Sequence, residues 1–272
     1  MKRLYFVGSL CAAVACLSGC AASRSADSAE ILRVMTYNIH HGEGMDGKID
    51  LQRIADLIKA ERVDIVAMQE VDRGVDRSDR IDIMTELSDL TGLTYAFGKN
   101  IDYGGGAYGN GFLTRFPILE ERNLHYRMLR EGEQRGLHQL VVEVRGIEIV
   151  IMNTHLDYRE DPSERLAHIK ELKQAAGRSG DRPVILCGDF NDIPGSPAIS
   201  SLKPEFADAW ELSDGGQGLS YPTTNPAKRI DYVFFTPKKN GGVILRPRSA
   251  RTIMSEASDH LPVVVEFEIA FQ

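Results

Sequence analysis

The chain alternates short apolar runs typical of buried β-strands with segments of helical period. Strands that follow one another directly favour antiparallel pairing, and interspersed helices favour a sheet that is covered on its outside. The strand-like runs are ILRVMTY (31–37), VDIVAM (63–68), YAFGKN (95–100), GFLTR (111–115), LHQLVVEV (137–144), IEIVIMNTH (147–155), PVILCGDF (183–190), RIDYVFF (229–235) and LPVVVEFEI (261–269). This pattern predicts an α/β or α+β sandwich and leaves the order of the strands open.

Three segments carry apolar residues at helical spacing. Asp50 is expected to cap the first, the second is IDIMTELSDL (81–90), and Asp161 with Pro162 opens the third. Gly177 is expected just past the end of the third helix. The positions expected to face inward are Leu51, Ile54, Leu57 and Ile58 in the first helix, and Leu166, Ile169 and Leu172 in the third.

The first twenty residues have the pattern of an export signal. Lys2 and Arg3 precede an apolar stretch, 4–17, that is too short to span a bilayer comfortably. The stretch ends in Leu-Ser-Gly-Cys, which resembles a bacterial lipobox, where cleavage precedes a cysteine that becomes lipidated. Cys20 would then anchor the protein in the bacterial cell envelope, in the periplasm or at the cell surface. An ordinary cleaved signal peptide, with Cys20 incidental, is the alternative.

These signals divide the chain into a signal peptide at 1–19, a small and polar tether at 20–30 and one domain at 31–272. The domain is long, although α/β sandwiches of this size are common. Cys187 would remain as the free thiol of the exported protein, and its place in an apolar run predicts core packing. The exported protein is therefore expected to fold without an intramolecular disulfide.

The acidic charge balance limits the classes of partner. The formal net charge is −7, and the chain without Lys2 and Arg3 of the signal carries about −9. A tight nucleic-acid binder usually carries a basic face, so the balance weakly disfavours nucleic acid as a partner. A bound metal and a local arginine cluster could still bind phosphate.

Polar side chains follow the apolar runs where the predicted strands end. Asp189 and Asn191 in GDFND, and Asp259 and His260 in SDHLPV, lie beside strands whose backbone is fixed. Carboxylate, amide and imidazole groups aimed at one point can hold a divalent metal and activate water. The other polar residues at the ends of runs are Asn38, His40, His41, Glu70, Asn110, Asn153, His155, Asp157 and Asp231.

This ordered series of motifs resembles the endonuclease/exonuclease/phosphatase superfamily, from Asn38 to Pro262. Each motif alone is weak, but the complete ordered set is specific. The resemblance implies a four-layer α/β (α+β) sandwich, in which two mixed, mainly antiparallel sheets pack face to face and helices cover the outsides. It places the site at one edge of the sheets and implies a metal-dependent hydrolase of phosphoester bonds.

The resemblance also implies a metal site and a water-activating group. Glu70 is then the principal metal ligand, helped by Asn38 and Asp259, and Mg²⁺ or Mn²⁺ suits this donor set. Asp189 would orient or deprotonate the attacking water, with Asn191 beside it. The residues by themselves leave simpler roles open, with Glu70 as a solvated acid and Asn38 and Asp189 as turn residues.

Two histidines complete the site that the resemblance implies. Asp231 would orient His260 and favour its charged form, so that the ring binds the scissile phosphate. His155 stands where abasic-site DNA-repair members carry tyrosine, and it resembles secreted deoxyribonucleases, sphingomyelinases and phosphatase-like members. It would contact phosphate or protonate the leaving oxygen. A hydrogen-bonded core histidine is the alternative for His260.

The substrate-side residues are less constrained. Asn110 resembles a substrate-side asparagine of the family, and a structural role is equally open. Arg73 lies among arginines and aspartates in VDRGVDRSDR, and it would hold a phosphate or carboxylate, or form local ion pairs. His40 and His41 would add metal or substrate contacts, although two adjacent loop histidines are more often exposed. Arg165 is expected to brace the site loops through an ion pair.

Three functions remain open from the sequence. The leading one is a lipid-anchored phosphodiesterase or phosphatase that acts on small or lipid-linked phosphoesters, with in-line attack of metal-associated water on phosphorus. The second is a nuclease that acts on DNA or RNA outside the cytoplasm. The third is a non-catalytic binding lipoprotein that has kept the fold. The sequence predicts no oligomeric state.

Overall fold

The computed structural model describes Met1 and residues 30–213, 215–237 and 242–271. The predicted signal peptide and nearly all of the predicted tether, including Cys20, lie outside the described residues apart from Met1. No helix in the described ranges is both long enough and apolar enough to cross a membrane.

Two six-stranded sheets form the centre of the domain. In spatial order, the first contains β11 (Val243–Thr252), β12 (Val263–Phe271), β1 (Glu30–Asn38), β2 (Ile65–Arg73), β4 (Gly106–Thr114) and β3 (Thr94–Tyr103). The second contains β5 (Ile118–His125), β6 (Gly136–Val144), β7 (Ile147–His155), β8 (Val184–Asp189), β10 (Asp231–Phe235) and β9 (Ala207–Asp208).

Most neighbouring strands pair antiparallel, and each sheet has one parallel pair. β1 pairs with β2 and β7 pairs with β8 in the parallel direction. A parallel pair needs a crossover connection, which here contains a helix. The first crossover contains α1 (Leu51–Ala60) and the second contains α3 (Ser163–Gly177). The described residues also form the α-helices α2 (Ile83–Thr91) and the short α4 (Pro197–Ser200).

Three apolar clusters separate four layers. One fills the space between the sheets and includes Phe112, Ile151 and Cys187. A second packs the outer face of the second sheet against α3, and a third packs the first sheet against α1 and α2. The layer order is helix, sheet, sheet, helix, which confirms the predicted sandwich. Complete burial of a side chain such as Phe112 contributes roughly 1.5–3 kcal/mol.

The helix predictions hold for α1 and need correction for α3. The Asp50 carboxylate accepts hydrogen bonds from the first turn of α1, as a capping residue does. In α3, however, Leu166 is 36% exposed and Gly177 is the last helical residue. The buried stripe of α3 also contains the polar residues Arg165 and His168, which the apolar pattern could not reveal. Leu166 lies at the edge of that stripe.

Three strands were absent from the predicted set, namely the two-residue β9 and the longer β5 and β11. The two longer strands share two features. Both lie at the edge of a sheet, and both carry charged residues in their sequences, ILEERNLH and VILRPRSART. Charged side chains are usual on edge strands because they discourage pairing with another chain. The same charged residues interrupt the apolar pattern from which the central strands were predicted, so β5 and β11 were missed.

Candidate active site

The predicted site residues converge at one edge of the two sheets. Asp189 ends β8, and it pairs across the parallel ladder with His155, the last residue of β7. Asp231 begins the antiparallel strand β10 and pairs with Asp189 from the other side. Asn38, at the end of β1 in the other sheet, donates from Nδ2 to Asp189 Oδ2 at 3.1 Å. Three residues that are distant in sequence from Asp189 therefore meet there.

The close approach of β7 and β8 at this point requires Gly188. A Cβ atom on Gly188 would overlap the carbonyl oxygen of Thr154 in β7. Glycine in the interior of a strand often marks such a close approach of backbones. The glycine of the GDFND motif therefore allows β8 to present Asp189 directly beside β7.

A buried acid–imidazole pair lies beside Asp189. His260 Nδ1 is 2.9 Å from Asp231 Oδ2, and the same oxygen accepts a hydrogen bond from the Ser220 hydroxyl at 2.6 Å. Burial by itself lowers the pKa of His260. The charge of Asp231, its hydrogen bond and the charge of Asp189 outweigh burial and raise this pKa to about 10. The His260 ring is therefore positively charged at neutral pH.

Asp189 lies between two imidazoles. Its Oδ2 is 3.5 Å from His155 Nε2 and 3.7 Å from His260 Nε2. Burial, and then the charge of Asp231, raise the pKa of Asp189 to about 7, against the opposing charge of His260. A carboxylate with a pKa near neutral pH is suited to accept a proton from water.

His155 has the opposite electrostatic environment from His260. Burial lowers the pKa of His155 well below its ordinary value, and the positive charges of Arg135 and His260 add to this effect. The ring is therefore neutral at pH 7 and can offer one N–H donor. Asp189 is the acidic neighbour of His155 that the sequence did not identify.

The predicted metal ligands lie next to Asp189. Asn38 Nδ2 donates to Glu70 Oε1 at 3.0 Å, and Glu70, Asp189 and Asp259 line one cavity. Glu70 belongs to an irregularity in the pairing of β2 with β4 and has a φ of 58°. The Asn38 amide oxygen accepts from the His40 backbone amide at 3.1 Å. Carboxylate oxygens are donors that Mg²⁺ and Mn²⁺ accept, and a cation would offset the repulsion among these acids. The residues therefore fit a divalent cation.

Two histidines in the turn after β1 also approach Glu70. Potential ligand atoms of His40, His41 and Glu70 all lie within 4.8 Å of one another. His41 is buried and His40 is half-buried, so the expectation that both are exposed is wrong. Both histidines have a positive φ, of 44° and 45°. Holding a non-glycine residue there costs on the order of 1–3 kcal/mol, which the surrounding structure must offset.

The loop after β8 is fixed by Asn191 and Arg165. The Asn191 backbone amide donates to Asp189 Oδ1 at 2.9 Å, and its side-chain amide donates to the Leu156 carbonyl at 3.1 Å. An Asx turn is therefore present at Asp189 in addition to its position in the site. Arg165 Nε donates to Asp192 Oδ2 at 2.9 Å, which confirms the predicted ion pair.

The two predicted substrate-binding residues have different surroundings. Asn110 is buried and does not line the cavity, and its Nδ2 has no hydrogen-bond partner among the described residues. Arg73 does not line the cavity, so it is not the substrate-binding residue that was predicted, and it forms a local ion pair, the other alternative for this loop. Its Nε is 2.7 Å from Asp82 Oδ2, and its guanidinium lies over Phe97, because it faces the segment before α2. Arg77 is the arginine of this loop that lines the cavity.

The site opens into a cavity of about 790 Å³ with cationic and aromatic walls. The cations are Arg77, Arg135, Arg159, Arg165 and Lys228, and the aromatic residues are Tyr103, Tyr108, Tyr158 and Tyr221. Arg135 is almost completely buried, and its Nη1 is 2.8 Å from Glu133 Oε1. The sequence pattern predicted neither residue of this pair, because both lie in a connection where no apolar run ends.

Comparison with known proteins identifies the family. The model of the Endonuclease/Exonuclease/phosphatase family matches residues 35–260. The chain belongs to this family. Members of the Endonuclease/Exonuclease/phosphatase family are hydrolases that act on phosphoesters, and they generally depend on a divalent metal.

Individual relatives from the family are similar to this chain over most of their length. It is 26% identical over 251 residues to the uncharacterised protein YbhP of Escherichia coli strain K12, covering 87% of this chain and 96% of YbhP. A family member from Bacteroides thetaiotaomicron has a TM-score of 0.73 at 18% identity, over 90% of this chain and 99% of that one. The mannosyl-6-phosphatase Bt3783 of the same species has a TM-score of 0.71 at 19% identity, over 88% and 100%. The two structural likenesses demonstrate a shared fold.

Proposed function

We propose that this chain is a metal-dependent phosphodiesterase or phosphatase that acts on small or lipid-linked phosphoesters. The position of Asp189 carries the proposal. Its carboxylate lies 3.5 Å from the neutral His155, 3.7 Å from the charged His260 and 3.1 Å from the amide of Asn38. A base between two imidazoles of different charge, beside a cation site, suits attack of water on phosphorus.

Glu70, Asn38 and Asp259 would hold Mg²⁺ or Mn²⁺. The cation, when bound, would polarise the phosphoryl group and neutralise part of its charge. Asp189 orients the attacking water and accepts its proton, which its raised pKa favours. Asn191 keeps Asp189 in position, because its backbone amide donates to Asp189 Oδ1.

The two imidazoles take different parts in this mechanism. Asp231 fixes the His260 ring through Nδ1, which leaves Nε2 to stabilise the negative charge that develops on the phosphoryl oxygens. His155 is neutral, so it contributes an N–H donor toward the phosphate or the leaving oxygen without a positive charge.

The cavity favours a compact substrate. Its volume of about 790 Å³ suits one phosphoryl group and a small organic moiety. Arginine side chains bind phosphate oxygens in pairs, and tyrosine rings pack against sugar or acyl groups. The likeness in fold to a mannosyl-6-phosphatase makes sugar phosphates the first monoesters to test. The net charge of −7 weakens the case for a long nucleic acid.

The lipobox pattern at Leu-Ser-Gly-Cys supports a location in the cell envelope. A signal peptide at 1–19 and a lipid on Cys20 would place the site on the periplasmic or outer side, where lipid-linked phosphoesters are within reach. Mass spectrometry of the purified protein tests this part of the proposal. A mature chain that starts at Cys20 with attached acyl groups supports it, and an unlipidated N-terminus contradicts it.

A substrate panel tests the catalytic proposal. The full-length chain is assayed with Mg²⁺, Mn²⁺ or EDTA on sugar phosphates, an aryl monoester, a bis-aryl diester, sphingomyelin, RNA and plasmid DNA, with Asp189→Asn as the control. Metal-dependent turnover of a small or lipid substrate, lost in the variant, supports the proposal. Preferential cutting of DNA or RNA that weakens as salt rises would make the nuclease the better assignment. No turnover of any substrate would favour a non-catalytic binding protein.

A further inference from the structure

The turn that follows β1 contains an unusual concentration of backbone strain. His40 and His41 have φ angles of 44° and 45°, and Glu70, to which their rings come close, has a φ of 58°. Non-glycine residues adopt this left-handed region rarely, and at functional sites more often than elsewhere. Three such residues meeting at one point indicate that the fold holds these three side chains together for a purpose.

His41 offers a nitrogen that nothing in the described protein satisfies. Its side chain is 8% exposed, and its Nδ1 is buried with no hydrogen-bond partner among the described residues. Its other nitrogen, Nε2, is 3.4 Å from Glu43 Oε2. A buried polar atom without a protein partner is rare in native proteins, and such an atom often binds an ion or an ordered water. The acid near Nε2 resembles the partners that orient metal-bound histidines.

We propose that His40 and His41 join Glu70 in holding the divalent cation, so that the site binds a first-row transition ion more tightly than Mg²⁺. Mg²⁺ prefers oxygen ligands and keeps several waters, whereas imidazole nitrogen suits transition ions. Ligand atoms within 4.8 Å of one another need only a small adjustment to meet at one ion. This inference deepens the proposed function and rests on it, because Glu70 belongs to the proposed metal site.

A purely structural role for the two histidines makes a different prediction. Their rings contact each other edge to face, with centroids 4.4 Å apart, and such packing needs no ion. Replacement of the rings would then lower the thermal midpoint equally with and without metal. If the rings bind the ion, their replacement also reduces the rise of the thermal midpoint that Mn²⁺ produces.

Pulsed electron paramagnetic resonance of Mn²⁺ bound to the full-length chain tests the inference directly. The electron spin echo of bound Mn²⁺ is expected to show modulation from directly coordinated ¹⁴N. This modulation should be replaced by ¹⁵N coupling when the protein carries ¹⁵N-histidine. The double variant His40→Gln/His41→Gln should lose the modulation and bind Mn²⁺ at least about tenfold more weakly, with Mg²⁺ affinity nearly unchanged. His155→Gln removes another imidazole of the site and should keep the modulation.

The outcomes separate this inference from the proposed function. Bound Mn²⁺ without coordinated ¹⁴N, or modulation that survives the double variant, overturns the inference even where phosphoesters are hydrolysed with Mg²⁺. Coordinated ¹⁴N in a protein that hydrolyses no phosphoester supports the inference and contradicts the proposed function. The ¹⁵N-histidine label marks every histidine, His155 and His260 included, so the single variants His40→Gln and His41→Gln decide the question if the double variant does not fold.

Discussion

His260 Nδ1 lies 2.9 Å from Asp231 Oδ2, within a pocket where both side chains are nearly completely buried. The Ser220 hydroxyl donates to the same oxygen at 2.6 Å and fixes the carboxylate. This pair turns His260 Nε2 toward Asp189 and keeps the ring charged, although burial alone would favour the neutral ring. Asp231 therefore sets both the orientation and the charge of His260.

Asp231→Asn is expected to remove the charge on His260. The amide would still occupy the space, but without the negative charge the pKa of His260 should fall from about 10 toward or below its ordinary value. Turnover at neutral pH should fall by about 10²-fold or more. NMR titration of the metal-free protein measures the ring directly. A His260 ring that stays protonated above pH 8 in the variant would show that Asp231 does not control it.

Asp189→Asn is expected to leave the protein folded and to lower turnover by about 10²–10⁴-fold, the usual contribution of a general base. The Asn191 backbone amide can still donate to the amide oxygen that replaces Asp189 Oδ1, so the loop should keep its turn. Circular dichroism and a turnover assay check the two statements. Near-normal turnover in a folded variant would remove Asp189 from the mechanism.

The same substitution should stabilise the metal-free protein at high pH. The pKa of Asp189 is raised from 3.8 to about 7, so the folded state binds the proton more tightly than the unfolded state. Protonated Asp189 therefore contributes to the free energy of unfolding below about pH 4, and this contribution is lost as pH rises through about 7. Asparagine resembles the neutral acid and avoids this loss.

Thermal unfolding in EDTA measures this effect. The thermal midpoint of Asp189→Asn should exceed that of the unmodified chain at pH 8, and the difference should shrink toward pH 4. A difference that is the same at both pH values would mean that the carboxyl of Asp189 titrates normally.

Glu70→Gln is expected to weaken binding of the divalent cation by about tenfold or more, because the amide keeps the shape of the side chain and loses its charge. Glu133→Gln provides the matched control, since Glu133 lines the same cavity and pairs with Arg135. Isothermal titration with Mg²⁺ and Mn²⁺ gives both affinities. Equal affinities for the two variants would mean that Glu70 is not the principal ligand.

The sequence predicted the parts of the site that lie at the ends of apolar strands. Asp189 and Asp231 could be found because a buried strand has no need of a carboxylate at its end. Arg135 could not be found in this way, because it lies in the connection between β5 and β6 and reaches the cavity through the tertiary fold. Arg73 and Arg77 occupy one charged segment, and only the fold shows which of them faces the cavity.

The fold was predictable to a similar degree and for similar reasons. Central strands and the apolar faces of α1 and α2 carry a clear period, so the layers could be predicted. The edge strands β5 and β11 carry charges instead. In α3, the buried Arg165 pairs with Asp192, which lies beyond the end of β8. Arg165 therefore faces inward because of a partner outside the helix, and the sequence pattern of α3 alone could not predict this.

Arg135→Met is expected to weaken substrate binding and to raise the pKa of His155. Arg135 is almost completely buried in the wall of the cavity, where its Nη1 is 2.8 Å from Glu133 Oε1, and an anion that enters the cavity comes close to it. KM for phosphoesters should rise by about tenfold or more. After burial, the charge of Arg135 is the next cause of the low pKa of His155, so that pKa should rise in the variant.

Arg135→Lys separates charge from geometry. Lysine keeps the positive charge that lowers the pKa of His155, but it lacks the planar fork that binds two phosphate oxygens. The lysine variant should therefore keep the low pKa of His155 in an NMR titration and still show a raised KM. Arg159→Met serves as a control at the half-buried rim, with a change in KM of less than about threefold. A KM that changes equally at Arg135 and Arg159 would mean that the buried arginine has no special contact with the substrate.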